Sequence, residues 1–304
     1  MKKPRKNKDY NSLKKDYIRL EIEFLIMFAI FLAFIFFNYN YLMYKTTMSL
    51  AYIDSEAMNE VFAEVLEEDF EKDNFYLEFD NAAIKLLNDK ITDKNEDEFT
   101  YFFQKGEYED MNEQIKEEAK KSEAKKLDDG VSYLKLTNFS THSLRIMKKG
   151  LEGLKEDKII IDLRGNTGGT INIACTCAQY FLDKGDTICT VDARSRLLQS
   201  HKTAKKNKPL SYDKIIILQD EYTASASEIF INSLKENLDN VTIIGDTSYG
   251  KGIGQAEFRL TRGYAFKATI LSFETPKGNS INKKGIVPDI FYTKEDILDY
   301  ATSL

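Results

Sequence analysis

The hydrophobic positions divide this chain of 304 residues into four stretches of different character. Residues 1–23 are polar, and residues 24–37 form an unbroken apolar run of 14 that continues through Asn38-Tyr-Asn-Tyr-Leu-Met-Tyr44. Fourteen residues are too few to cross a bilayer. Extended to Tyr44 the stretch has 21 residues, roughly 31 Å as a helix at ~1.5 Å per residue, with tyrosines as an interfacial belt at its far end. One transmembrane helix is therefore expected over 24–44. Residues 46–128 turn to Glu, Lys and Asp with apolar positions at helical spacing over 58–70, 81–87 and 107–126, which predicts a small helical region.

From residue 129 onward short continuous apolar runs alternate with amphipathic stretches. Residues 158–163 and 215–218 read as buried strands, 171–181 as a helix, and Phe230, Leu234 and Leu238 as the inner stripe of another. Residues 201–208 are basic and polar and read as an exposed loop, and 266–273 followed by Thr275-Pro-Lys-Gly278 as a strand and turn. This alternation predicts an α/β domain over 129–304, ample for one hydrophobic core.

Charge orients the chain. Residues 1–23 carry eight basic and four acidic side chains, which predicts a cytoplasmic N-terminus and an extracytoplasmic C-terminal domain on a single-pass anchor. A cleavable signal peptide is the rival reading, since the apolar run suits its core and Ser49-Leu-Ala51 offers small residues. That site lies 14 residues beyond the run, so an uncleaved anchor is the better reading, ahead also of a buried core helix. Removing the +4 of residues 1–23 from the overall −6 leaves −10, which argues against a nucleic-acid partner. Cys175, Cys177 and Cys189 form neither a C-x-x-C motif nor an even disulfide set, and read as packing residues. No metal-ligand cluster stands out, so neither a metal nor another cofactor is expected.

Two glycine- and serine-bearing turns carry the candidate chemistry. The run Ile215-Ile-Ile-Leu218, then Thr223-Ala-Ser-Ala-Ser-Glu-Ile229, then an amphipathic stretch reads as strand, tight turn and helix. A serine at such a turn lies beside the unpaired N–H groups of the helix, Ala226 first, and these could stabilise an oxyanion. Serine needs a base, and Lys251 in Tyr249-Gly-Lys-Gly252 serves only if it is neutral. The alternative is that Ser225-x-x-Glu228 is a capping box and Lys251 a surface loop residue. A second turn, Arg164-Gly-Asn-Thr-Gly-Gly-Thr170, fits neither dinucleotide nor phosphate-loop spacing, so a nucleotide site is not expected and Gly168 or Gly169 is a candidate second oxyanion donor.

Taken in order, Asp129-Gly-Val-Ser-Tyr-Leu-Lys-Leu-Thr-Asn-Phe-Ser140, Ile161-Asp-Leu-Arg-Gly-Asn-Thr-Gly-Gly169, Thr223-Ala-Ser-Ala-Ser-Glu228, Ile244-Gly-Asp-Thr-Ser-Tyr-Gly-Lys-Gly-Ile-Gly-Gln255 and a tail block over 275–289 resemble the carboxy-terminal processing peptidases, tail-specific serine proteases of family S41. The resemblance implies a ClpP/crotonase-like catalytic core, with Ser225 as nucleophile, Lys251 as general base, Gln255 orienting the lysine, and an oxyanion hole joining Ala226 to Gly168 or Gly169. Ser227 is the weaker competitor for the nucleophile. The serine-to-lysine spacing is one residue longer than is usual in the family, placed as an insertion around 237–240. His142 and His201 match no Ser-His-Asp pattern, and Asp162 reads as a structural partner of Arg164.

Asp97-Glu-Phe-Thr-Tyr-Phe102 followed by Glu107-Tyr-Glu109 resembles the family's helical stretch before its peptide-binding PDZ module, but residues 106–129 are too few to form that module. Substrate capture would then fall to the catalytic groove, the helical region, or an activating or adaptor protein. The expected function is a membrane-anchored Ser-Lys endopeptidase cleaving extracytoplasmic proteins near their C-termini through an acyl-enzyme. Its alternative is a non-catalytic or partner-activated peptidase-fold protein that binds or regulates at the membrane. A crotonase-type thioester enzyme is disfavoured by the serine-lysine pair.

Overall fold

The computed structural model describes residues 84–85, 88–89 and 98–304, apart from 128–129, 155, 194–198, 206–208 and 260–263. The expected anchor at 24–44 and the helical stretch at 58–70 lie outside the described residues, and no helix among those described is long and apolar enough to cross a membrane. In chain order the elements are β1 (Tyr101–Phe103), α1 (Glu107–Ala119), β2 (Glu123–Lys126), β3 (Ser132–Lys135), α2 (Thr141–Gly153), β4 (Lys158–Asp162), α3 (Ile171–Ala178), β5 (Thr187–Ala193) and β6 (Ser200–Thr203). They continue as β7 (Lys214–Gln219), α4 (Ala226–Lys235), β8 (Val241–Gly245), β9 (Ile253–Arg259), β10 (Ala265–Glu274), β11 (Ile290–Phe291) and α5 (Ile297–Ser303).

The larger sheet runs β11-β8-β7-β4-β3-β2, parallel except for β2. Its central strands are continuous apolar runs because both faces are covered. Alternate residues part cleanly. Ile159, Ile161, Ile215, Ile217, Val241 and Ile243 face a core shared with Met147 and Leu151 of α2, Cys177 of α3, and Phe230 and Leu234 of α4. Ile160, Ile216, Leu218 and Ile244 face the opposite side, where Ile297 and Ala301 of α5 pack. The three cysteines are buried and free, as packing residues.

The smaller sheet orders β1-β10-β5-β6, with β9 also on β10, all antiparallel. Several expected boundaries move. The 107–126 stretch is helical only to Ala119, and Glu123–Lys126 is an edge strand: its Glu and Lys residues favour helix weakly, and the open ladder of β3 overrides them. The loop expected at 201–208 begins as strand β6, where the His201 ring lies 3.0 Å from the hydroxyls of both Thr187 and Thr190. The helix expected to reach Phe181 ends at Ala178, and its last turn tightens through Tyr180 N–H to Cys177 O and Phe181 N–H to Ala178 O.

Candidate active site

The strands β4, β7 and β8 are neighbours, and the loops leaving their carboxyl ends converge. The loop after β4 starts from a buried anchor. Asp162 accepts from Arg164 Nε and Nη2 at 2.9 and 2.6 Å and from the Tyr133 hydroxyl at 2.9 Å, which is the structural role expected of it. Burial, then the Asp162 carboxylate, pushes the Tyr133 phenol up and keeps it a donor. Asn166, fully buried, ties this loop to the next: its Nδ2 donates to Leu136 O at 2.8 Å, its carbonyl accepts from Ala224 N–H and Ser227 Oγ at 3.0 Å each, and its Oδ1 accepts from Gly168 N–H at 2.9 Å. Ser227 is thereby held in a structural bond.

The loop after β7 is braced by Asp220, whose carboxylate accepts from Gly165 N–H at 2.9 Å and Tyr222 N–H at 3.1 Å. Ser225 follows at φ 57° and ψ −115°, in a region that L-residues seldom occupy, immediately before α4. A non-glycine residue held there at the strand-to-helix turn is over-determined by its surroundings, which is how strain is stored at reactive positions. Gly168 lies directly on this turn. A Cβ there would come within 2.9 Å of Ala224 O, 3.0 Å of Ser225 Cβ and 3.1 Å of Ala226 N, and its φ of +112° also requires glycine. Between the two glycines the bonding differs: Gly168 N–H is already taken by Asn166, whereas among the described residues neither Gly169 N–H nor Ala226 N–H meets an acceptor.

The loop after β8 joins through one carboxylate. Glu228 accepts Ser225 N–H at 2.7 Å, as a capping box requires. The same oxygen, Oε2, accepts Lys251 N–H at 2.9 Å, while Oε1 accepts from the Ser248 hydroxyl at 2.6 Å and Gly250 N–H at 2.8 Å. The backbone nitrogens of Ser225 and Lys251 are thus no farther apart than these two bonds laid end to end. Glu228 is fully buried, and burial pushes its carboxyl above the ordinary range against the downward pull of its four donors. Tyr249 N–H adds a bond to Thr223 O at 2.9 Å. The serine and lysine segments are therefore assembled by their backbones around a carboxylate that local sequence marks only as a helix cap.

Lys251 is partly exposed, and its Nζ lies 4.1 Å from the centre of the Phe99 ring. Gln255, on β9, donates from Nε2 to Thr269 Oγ1 of β10 at 3.2 Å. Residues 237–240 turn between α4 and β8, where Asn237 Nδ2 caps Ser233 O and Thr187 O, and Asn240 Nδ2 donates to Tyr212 O, so the extra length closes without touching Ser225 or Lys251. Asn166, Asp220, Glu228 and Phe99 were not singled out for the site from sequence; Asn166, Glu228 and Phe99 lie inside recognised motifs, but the partners that tie them to the site include residues remote in the chain.

A model of peptidase family S41 matches residues 130–292, more than half of the chain. The chain belongs to peptidase family S41. Among curated S41 relatives, it is 32% identical over 170 residues to the carboxyl-terminal-processing protease of Picosynechococcus sp., covering 55% of this chain and 40% of that one. To the carboxy-terminal processing protease CtpA of Bacillus subtilis it is 32% identical over 180 residues, covering 57% and 37%. The S41 chain thus spans about two fifths of the length of these relatives. A lipoprotein from Streptococcus agalactiae, 16% identical, superposes with a TM-score of 0.62 over 88% of this chain and 96% of that one, which shows a shared fold.

Proposed function

We propose that this S41 chain is a membrane-anchored serine endopeptidase that cleaves extracytoplasmic proteins near their C-termini, as the names of its carboxyl-terminal-processing relatives suggest for the position of the cut. The observation that carries the reading is the shared Oε2 of Glu228, which seats the Ser225 and Lys251 backbones side by side. Ser225 Oγ attacks the peptide carbonyl as neutral Lys251 takes its proton, and Gln255 orients the lysine. The oxyanion is held by the N–H groups of Ala226 and Gly169, Gly168 N–H being engaged by Asn166. The lysine then gives its proton to the leaving amine, leaving an acyl-enzyme that water hydrolyses on the same base. The partners are a protein or peptide substrate and membrane lipid. An activating or adaptor protein has a place in this scheme, because among the described residues between β1 and β3 the elements are α1 and the edge strand β2.

The test is digestion of a loosely folded protein by the full chain in detergent micelles. Lys251→Met is expected to lower kcat/KM by about 10³-fold or more, since general-base assistance alone contributes 10²–10⁴. Wild-type activity is expected to fall as pH drops, because protonation removes the base. Equal rates for Lys251→Met and wild type, or a flat profile into acid, would rule out the dyad. Gly168→Ala is expected to cost about 100-fold in kcat by shifting the Ser225 turn through its clash with Ala224 O and Ala226 N. A wild-type kcat in that variant would show that the turn tolerates displacement.

The second reading, a partner-activated or non-catalytic peptidase-fold protein, is favoured by one contact, the Phe99 ring seated on Lys251.

A further inference from the structure

Phe99 lies outside the S41-matched residues 130–292, yet it reaches the lysine of the dyad. Its segment is fixed at both ends. Thr100, buried, accepts Thr269 N–H on its Oγ1 at 2.9 Å, the same Thr269 whose hydroxyl bonds Gln255. Strand β1 then pairs with β10, Phe102 stacks on Phe266 at 4.3 Å between centroids, and Asn88 brackets the Phe102 backbone at 2.6 and 2.9 Å. On the other side Glu98 accepts from the Tyr249 hydroxyl at 3.0 Å, and the Tyr249 and Phe99 rings meet in a T-shaped arrangement, 6.4 Å between centroids. The ring is thus held in place on the lysine loop.

An aromatic face is electronegative, so an ammonium over it is stabilised and a neutral amine is not. A lysine acting as general base must be neutral. The charged groups around this loop do not all press one way. Glu228 bonds the Lys251 N–H, Glu98 is joined to Tyr249, and Lys283 and Lys284 lie in the turn whose backbone packs on Gly250. To these the ring adds a face-on contact at Nζ itself. We propose that Phe99 is a positioning residue for the dyad, holding Lys251 as its ammonium in the resting enzyme, so that the proton affinity of the base is set from outside the S41-matched core. This rests on the Ser225-Lys251 reading above.

Lys251 is titrated directly by 13C NMR of its ε-methylene in the full chain in micelles, the signal assigned by its loss in Lys251→Gln. Phe99→Leu and Phe99→Met keep an apolar cover and remove the ring face. Their titration midpoint is expected to fall by about half a pH unit to one and a half, the range of a cation–π contact at a partly exposed site, and Phe99→Tyr to stay with wild type. The acid limb of kcat/KM is expected to move with the midpoint. A midpoint that is unmoved or raised in both Leu and Met variants overturns the proposal. A chain that cleaves nothing yet shows the lowered midpoint keeps the Phe99–Lys251 assignment and moves the function to the partner-activated or non-catalytic reading.

Discussion

Cleavage by the Ser225→Ala chain is expected to fall by about 10⁴-fold or more in kcat, with the fold unchanged. The hydroxyl is the only group removed. The backbone at φ 57° is held by Glu228 Oε2 on the Ser225 N–H, by Tyr249 N–H on Thr223 O and by Gly168 packed on the turn, none of which involves the hydroxyl. Alanine at that position therefore inherits the same strained turn, and stability is expected to fall by about 1 kcal/mol, the usual cost of losing an N-cap hydroxyl. The Ala226 and Gly169 N–H groups remain, so a residue of rate over water survives. The measurement is digestion of a loosely folded protein alongside trapping of a covalent adduct on Ser225 by mass spectrometry. Wild-type cleavage by Ser225→Ala, or an adduct on Ser227, would move the nucleophile elsewhere.

Glu228 carries the second large effect. Truncation to alanine leaves the N–H groups of Ser225, Gly250 and Lys251 and the Ser248 hydroxyl without their acceptor inside the core. Several buried donors stranded together are expected to lower stability by about 3–5 kcal/mol. Because the same carboxylate sets the spacing of the serine and lysine segments, kcat is expected to fall by about 100-fold or more in the fraction that folds. Glu228→Gln keeps one acceptor and points an amide NH₂ at donors on its other end, so it is expected to fall between wild type and Glu228→Ala in both readouts. Unfolding by urea and cleavage rate, measured on the same samples, check this. A Glu228→Ala chain as stable and active as wild type would reduce the carboxylate to a passive cap.

The same residue predicts a pH dependence with a definite sign. Burial raises the folded-state value of Glu228, so the folded chain binds this proton more tightly than the unfolded chain does. Its contribution to stability is complete below the ordinary carboxyl range and is lost as pH rises through the raised value. Relative to Glu228→Gln, wild-type stability is expected to decline across that window.

Much of the catalytic architecture was legible in the chain because its strands are buried on both faces. Ile159–Ile161 and Ile215–Leu218 read as strands on this ground, the half-buried Phe266–Phe273 of the smaller sheet read as one too, and Phe230 and Leu234 marked the inner stripe of α4. The edges were not legible. Strands β2 and β6 are short and polar, so no apolar period announces them, and only an open neighbouring ladder makes them strands. The Asp162-Arg164 pair was legible since the partners are two residues apart, while Tyr133 as its third member was not.

By itself the sequence determined the family and the candidates for the chemistry: a serine at a strand-to-helix turn, a glycine pair after the preceding buried strand and a lysine between glycines, in the order of family S41. These are local patterns, written in neighbours along the chain. Tertiary structure alone decided how they meet. It made Glu228 the common acceptor of segments 23 to 26 residues apart, engaged Gly168 N–H on Asn166 and left Gly169, and set Phe99 on Lys251 across 152 positions. A hydrogen bond or a ring contact depends on distance in space, and only the packed sheets bring positions so remote in sequence within reach.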